Sequence, residues 1–177
     1  MIIRKAVETD LEDALAVERA AFGSDEEAAL VRDLMGDNSA GPTVSLLAFI
    51  DDRAVGHILF TRARLEPVAP LSLYILAPLA VIPKFQNQGI GGALIEKGIQ
   101  ILSDADVDLV FVLGHAAYYP RFGFKPAGVL GFAATYPIPD KNADAWMMQA
   151  LKSELVEQYS GTVVCADTMN KPEYWRE

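Results

Sequence analysis

The sequence predicts an α/β fold with a mixed sheet. Three segments carry this: Leu71–Ile82 is an almost unbroken apolar run, Gly91–Leu102 follows with helical spacing, and Val107–Leu113 is a second solid apolar run. Strand, helix and strand in succession make a βαβ unit, whose crossover is right-handed. A run that is apolar without alternation belongs to a strand buried on both faces.

Ahead of this unit the chain reads as strand, helix, helix and hairpin. Ile2–Val7 is a short strand. Thr9-Asp10-Leu11-Glu12 matches a capping box with Thr9 as N-cap, and Leu11, Leu15 and Phe22 then lie on one helical face. Ser24–Glu27 repeats the capping signal, and Leu30, Val31, Leu34 and Met35 give the apolar side of a second helix that Gly36 ends. Thr43–Ile50 and Ala54–Thr61, separated by Asp51-Asp52-Arg53, read as a β-hairpin. His57 falls in its second strand with nothing nearby in sequence to pair with it. It reads as a strand histidine satisfied by neighbours or solvent. Arg62–Pro70, with two prolines, reads as a loop.

Pro78 interrupts the long apolar strand. A proline cannot donate to a ladder, so a bulge or splay is expected near Ala77–Leu79. In the helix that follows, Leu94, Ile95, Gly98, Ile101 and Leu102 face inward, and Glu96, Lys97, Gln100 and Ser103 face water. A short helix around Ala116–Phe122, strand-like pieces near Lys125–Gly131 and Trp146–Leu151, and a mixed tail complete the chain. Trp146-Met147-Met148 reads as strand packing, and Cys165 as a partly buried, apolar-like residue. The tail Gly161–Glu177 either caps the fold or pairs with a second subunit to give a homodimer. Both stay open.

Composition bounds the function. Of 177 residues 51 % are hydrophobic and 22 % charged, enough apolar content for a sizeable core. This excludes a disordered acidic tail, a collagenous repeat and a disulfide-stapled miniprotein. A formal net charge of −9 repels phosphate backbones, so broad nucleic-acid binding is disfavoured. A single cysteine closes no internal disulfide and supplies no metal cluster, which fits a reducing cytoplasm. The N-terminus lacks a signal peptide's apolar region, and Leu71–Pro83 is too short to span a bilayer. No membrane role is indicated.

The chemistry is concentrated between the buried strand and its helix, at Lys84-Phe85-Gln86-Asn87-Gln88-Gly89-Ile90-Gly91-Gly92-Ala93. Glycines entering a helix let backbone N–H groups converge where the helix dipole is positive, which makes a phosphate site without a cationic side chain. No Lys-Ser or Lys-Thr follows the glycines, so it is not a P-loop. Leu94 stands where a dinucleotide fingerprint needs its third glycine. The pattern Q-x-x-G-x-G after an apolar strand ending in V-x-P fits residue for residue.

With that segment the sequence resembles the GNAT superfamily of acyl-CoA-dependent N-acetyltransferases. A second segment, Gly114-His115-Ala116-Ala117-Tyr118-Tyr119-Pro120-Arg121-Phe122-Gly123-Phe124, resembles the family's Y-x-x-x-G-F ending, and most closely the subgroup carrying Y-Y-x-R-F-G-F. The resemblance implies a mixed, mostly antiparallel sheet with a splayed strand pair and flanking helices. It covers residues 1–151 as an N-acetyltransferase domain, with 152–177 an extension packed on the same domain. It implies acetyl-CoA as cosubstrate and no metal. The amides of Gln86, Asn87, Gln88, Gly89, Ile90, Gly91 and Gly92 would hold the pyrophosphate, and the freed backbone of Leu79, Ala80 and Val81 would pair with the pantetheine arm.

The implied activity is transfer of acetyl from acetyl-CoA to a primary amine, on a small molecule or a protein, by direct attack. A phenol can protonate the departing thiolate, and Tyr119 is assigned that role, with Tyr118 adjacent. A freed N–H near Leu79–Val81 would hold the oxyanion. Many relatives carry a glutamate on the strand before the loop, yet Leu71–Val81 holds no acid. Glu27, His115 or a bound water is left as the base. The asparagine that many relatives carry before the tyrosine helix is also absent. The rival functions are a non-catalytic acyl-CoA-binding sensor or assembly module that lost its base, and an enzyme using a different acyl group.

Overall fold

A computed structural model of the chain describes residues 1–177 except Ser153, Leu155 and Glu177. Its strands are β1 (Ile2–Lys5), β2 (Val44–Ile50), β3 (Arg53–Glu66), β4 (Leu73–Val81), β5 (Leu109–Leu113), β6 (Lys125–Pro126), β7 (Phe132–Ala133), β8 (Trp146–Ala150) and β9 (Gly161–Val164). Its α-helices are α1 (Leu11–Phe22), α2 (Glu26–Met35) and α3 (Ile90–Asp104). The sheet runs β1-β2-β3-β4-β5-β8-β6, with β9 pairing β3 and β7 off this path. Along the path only β4 and β5 are parallel; the rest are antiparallel.

The two faces of the sheet carry separate cores. Leu59, Ile75 and Phe111 pack against Leu15 of α1, Val31 and Leu34 of α2, and Trp175 near the C-terminus. Ile58, Phe60, Val110 and Val112 pack against Leu94, Ile95 and Leu102 of α3. α3 approaches closely at Gly98, where a Cβ would stand 2.2 Å from the Phe60 ring. Glu96, Lys97, Gln100 and Ser103 face water, as the spacing requires. β2 and β3 form the hairpin through Asp51 and Asp52, both in left-handed backbone (φ 48° and 63°), a turn whose twist suits antiparallel strands.

Several local expectations are corrected. The Thr9–Glu12 box does not form. Asp10 instead accepts a hydrogen bond from the Val7 N–H (2.7 Å) and pairs with Arg4 (2.7 Å), which holds its carboxyl down at about 2. Most of Arg62–Pro70 is not loop, because β9 supplies a partner for Arg64, Leu65 and Glu66 and extends β3 to fourteen residues. The strand expected over Lys125–Gly131 shrinks to the two residues of β6, followed by a 3₁₀ turn at Gly128–Leu130 that Gly131 closes with φ +95°. The helix around Ala116–Phe122 is a single 3₁₀ turn, Tyr119–Phe122. Phe22, expected to face inward, is 45 % exposed. Cys165 is fully buried, and burial pushes its thiol up. Trp146 stacks on Phe111 at 5.3 Å, so the Trp-Met-Met stretch is strand packing.

His57 has partners distant in sequence. It is fully buried, its Nδ1 lies 2.6 Å from Glu18 Oε1 on α1, and its Nε2 lies 2.9 Å from Ser45 Oγ on β2. Burial pushes the Glu18 carboxyl up, while the hydrogen bond from His57 pulls it down. Removing one member strands the other in a dry interior. His57→Ala is therefore expected to cost about 3–5 kcal/mol, and Glu18→Leu with His57→Leu to regain most of it. Urea denaturation measures both. A single variant within experimental error of wild type would show that the pair carries no such load.

Candidate active site

β4 and β5 are zipped at one end and open at the other. Their register covers only Leu73↔Leu109, Tyr74↔Val110 and Ile75↔Phe111. At the closed end the Ser72 N–H donates to Asp108 Oδ2 (2.7 Å), and the N–H groups of Asp108 and Leu109 donate to the Ser72 carbonyl (2.9 and 3.2 Å). Past Ile75 the register between β3 and β4 shifts by one, placing Ala77 and Pro78 opposite Leu59 as a bulge. An inserted residue bends its strand and leaves backbone unpaired. β5 meanwhile stays paired with β8 to its last residue, Leu113↔Trp146. The two strands therefore part as a V.

A cleft of ≈ 960 Å³ occupies the V and crosses the sheet. Leu79, Val81, Phe85, Tyr118 and Phe122 line it on the α3 side and pack on that side's core. Ala77, Leu113 and Tyr174 line it on the α1/α2 side and pack on the other core. Phe22 at the end of α1 and Glu27 at the start of α2 complete this second mouth.

The edge of β4 that faces the cleft presents alternate backbone groups. The Ile82 N–H donates across to Val55 on β3 (2.9 Å), so Ala80 also turns toward β3 and Leu79 and Val81 turn into the opening. In keeping with this, the Val81 carbonyl accepts from the Gln86 side chain at 2.9 Å. Ala80 is buried opposite His57 and is not a wall of the cleft. Gln88 is not one either; its side chain reaches back to the Lys84 carbonyl at 3.5 Å. The other residues singled out from the sequence, namely Leu79, Val81, Gln86, Asn87, Gly89, Ile90, Gly91, Gly92, Tyr118, Tyr119 and the two candidate bases Glu27 and His115, all line it.

α3 begins where the cleft opens on its side. Asn87 (φ 62°) and the N-cap Gly89 (φ 82°) are left-handed, which swings the chain so that the helix starts at Ile90. The first N–H groups of a helix have no partner within it and lie at the positive end of its dipole. Gly89 has open space where a Cβ would be. Gly91 and Gly92 differ: a Cβ there would stand 2.5 Å from the Tyr118 hydroxyl and 2.6 Å from the Phe122 ring. Those two glycines admit aromatic rings to the first turn of α3.

The tyrosines divide between two places. The Tyr118 hydroxyl sits over Gly91, and burial pushes its phenol up while Arg121 opposes the shift. Tyr119 is 8 % exposed, with its ring packed on Gly114 at the end of β5 and edge-on to Phe124 at 5.8 Å. Arg121 stacks over Tyr118 (4.9 Å) and Phe122 (5.4 Å) and lines the cleft beside α3. Sequence reasoning missed Arg121 and read the loop as a site without a cation. The signal was its place in Tyr-Tyr-Pro-Arg-Phe, one turn from the tyrosines. Among the described residues, no cluster of three or more His, Cys, Asp or Glu side chains is placed to hold a metal ion, and no helix is long and apolar enough to cross a membrane.

The comparisons with known proteins agree with this geometry. Residues 42–126, which span β2 to β6 and the whole V, match the family described as the acetyltransferase (GNAT) domain. Over 162 residues the chain is 51 % identical to the uncharacterized N-acetyltransferase YjhQ of Escherichia coli K12, covering 90 % of this chain and 88 % of that protein. The chain belongs to the GNAT acetyltransferases. This GNAT enzyme is also similar to solved relatives. The E. coli GNAT-family N-acetyltransferase YhbS, solved in complex with CoA, superposes with a TM-score of 0.87 at 28 % identity, over 96 % of this chain and 92 % of that one. A GNAT acetyltransferase from Brucella melitensis, solved with acetyl-CoA, gives 0.76 at 27 % identity over 95 % and 97 %.

Proposed function

We propose that this GNAT enzyme transfers acetyl from acetyl-CoA to a primary amine by direct attack, with the donor entering the cleft from the α3 side and the acceptor from the α1/α2 side. The observation that carries this is the V between β4 and β5, which opens a passage through the sheet with helix-terminal N–H groups at one mouth and a carboxylate at the other. The residues fit the donor. Unpaired N–H groups of Ile90, Gly91 and Gly92, with Arg121 beside them, suit a pyrophosphate, and the edge of β4 at Leu79 and Val81, past the last pairing with β5, suits an amide-bearing arm.

Bound acetyl-CoA would supply an acetyl group activated as a thioester. The chain's own groups then manage charge and protons. An alkylammonium of pKa about 10.4 must lose a proton before it attacks, and Glu27 takes it, directly or through water. As the C–N bond forms, the N–H of Leu79 or Val81 holds the negative charge that develops on oxygen. As the C–S bond breaks, its electron pair goes to sulfur and the Tyr119 hydroxyl gives it a proton; the second proton, which the nitrogen sheds to become an amide, returns to the tyrosinate directly or through water. Tyr119 suits that role because its ring packs where β5 leaves the V, whereas the Tyr118 hydroxyl is committed to the first turn of α3. The rival sensor module loses its main support, since Glu27 provides the acid that β4 lacks. The single, buried Cys165 suits work in a reducing cytoplasm.

Thermal-shift and calorimetric titrations with acetyl-CoA, CoA and NAD test the donor. Both CoA species should raise the melting temperature and NAD should not; at a ligand concentration of about 100 Kd the linkage stabilisation is about 2.7 kcal/mol. No protection by either CoA species would end the proposal. Thiol release in the presence of amines then separates an enzyme from a sensor.

A further inference from the structure

Resting on the acetyltransferase proposal, we infer that the C-terminal strap builds the acceptor subsite, and that Tyr174, Phe22 and Glu27 together select a small primary amine with an apolar body and no carboxylate. Tyr174 comes from the last few residues of the chain, yet it lines the same cleft as Leu79 and Tyr119. It is half-buried, and its position is fixed by its neighbours. Trp175 is 2 % exposed, meets Trp146 edge-on at 5.5 Å, and donates its indole N–H to the Met169 carbonyl at 3.0 Å.

The strap is stapled to the loop that follows α2. The Thr168 N–H donates to Asp37 Oδ2 (2.9 Å) and the Asp167 N–H donates to Ser39 Oγ (2.9 Å). Burial works against ionisation of Asp37, but hydrogen bonds from Ser39 and Thr168 outweigh it and hold the carboxyl down at about 2. The Asp37 staple is thus fully charged at neutral pH.

The chemistry of the mouth defines its occupant. Phe22 is 45 % exposed and presents an apolar ring there. Aromatic faces and a carboxylate attract an ammonium group. Arg121 is the one Lys or Arg among the described residues lining the cleft, and it is stacked over Tyr118 and Phe122 on the α3 side; the lining also holds the imidazole of His115. A carboxylate on the acceptor would therefore meet Glu27 with no Lys or Arg on its own side of the sheet to balance it. Amino acids are disfavoured, and amines on an aliphatic or aromatic body are preferred.

The test pairs 2-phenylethylamine with phenylalanine, which differ only by the carboxylate, alongside a short peptide with a free N-terminus. Thiol release from acetyl-CoA is followed for the wild type, Tyr174→Ala and Asp37→Ala, and CoA affinity is measured by calorimetry. The amine should exceed phenylalanine in kcat/KM by at least about tenfold, and Tyr174→Ala should raise its KM by about tenfold, the worth of a desolvated aromatic contact with a cation. Asp37→Ala, which loosens the strap by removing the Thr168 tie without touching the cleft, should move KM in the same direction. CoA affinity should stay unchanged in both variants. Phenylalanine or the peptide turned over as well as the amine, or an unchanged KM in Tyr174→Ala, would overturn the acceptor assignment and leave the donor assignment standing. Failure to bind CoA, or no thiol release with any amine, would remove both.

Discussion

Gly89→Asp is expected to abolish binding of coenzyme A while leaving the fold intact. The position accepts the change sterically, because nothing lies within 4 Å of where its Cβ would be. Its left-handed φ of 82° is one that aspartate tolerates better than most residues. A carboxylate at the start of a helix is favourable for the helix itself. It would, however, occupy the place that the proposed donor assignment gives to a phosphate. Two unit charges about 4 Å apart repel by about 4 kcal/mol at the effective dielectric of a protein surface, which is about a thousandfold in affinity. Gly89→Ala carries the same backbone strain without the charge and should retain binding. Calorimetry reads both variants. If Gly89→Asp binds CoA as the wild type does, the pyrophosphate does not sit at the start of α3. Gly91→Asp is the poorer probe, because it would also strike the Tyr118 hydroxyl.

Tyr119→Phe should keep CoA affinity near the wild-type value and slow turnover by about 10²–10⁴-fold, the usual worth of a general acid. The substitution removes one oxygen from a ring held against Gly114, Tyr118 and Phe124, so packing is preserved. Tyr118→Phe is expected to act differently, weakening CoA binding more than turnover, because its hydroxyl lies at the first turn of α3. Steady-state kinetics alongside calorimetry separates the two. Were Tyr119→Phe fully active, the proton would have to come from Tyr118 or from water.

The features readable from the sequence are those coded by neighbouring residues. The apolar run of β4, the helical spacing of α3, the Asp-Asp turn of the hairpin and the glycines of the loop are all local patterns, and the structure has each of them. Pro78 was legible as a break in pairing because a missing N–H is a property of one residue. The Tyr-Tyr-Pro-Arg-Phe stretch was legible as a motif, though not its division of labour. Where short-range rules failed, a distant partner had intervened. Asp10 rather than Thr9 organises the first turn because Arg4 is in reach, and β3 runs on to Glu66 because β9 comes back to pair with it.

By itself the sequence determined the kind of fold, the loop that suits a phosphate and the aromatic segment beside it. Only the tertiary structure decided that the V crosses the sheet, that Arg121 lines the cleft beside α3, and that Glu27, Phe22 and Tyr174 line the same cleft at the other mouth. Those three residues come from the start of α2, the end of α1 and the C-terminal strap. Side chains so far apart in the chain meet only through the packing of whole elements on a sheet. The same holds for His57, whose partner Glu18 lies on another element and is brought to it by burial of the α1 face. Periodicity and spacing report what a residue does to its neighbours in the chain. Which distant groups share a cleft depends on the long-range burial that closes the fold.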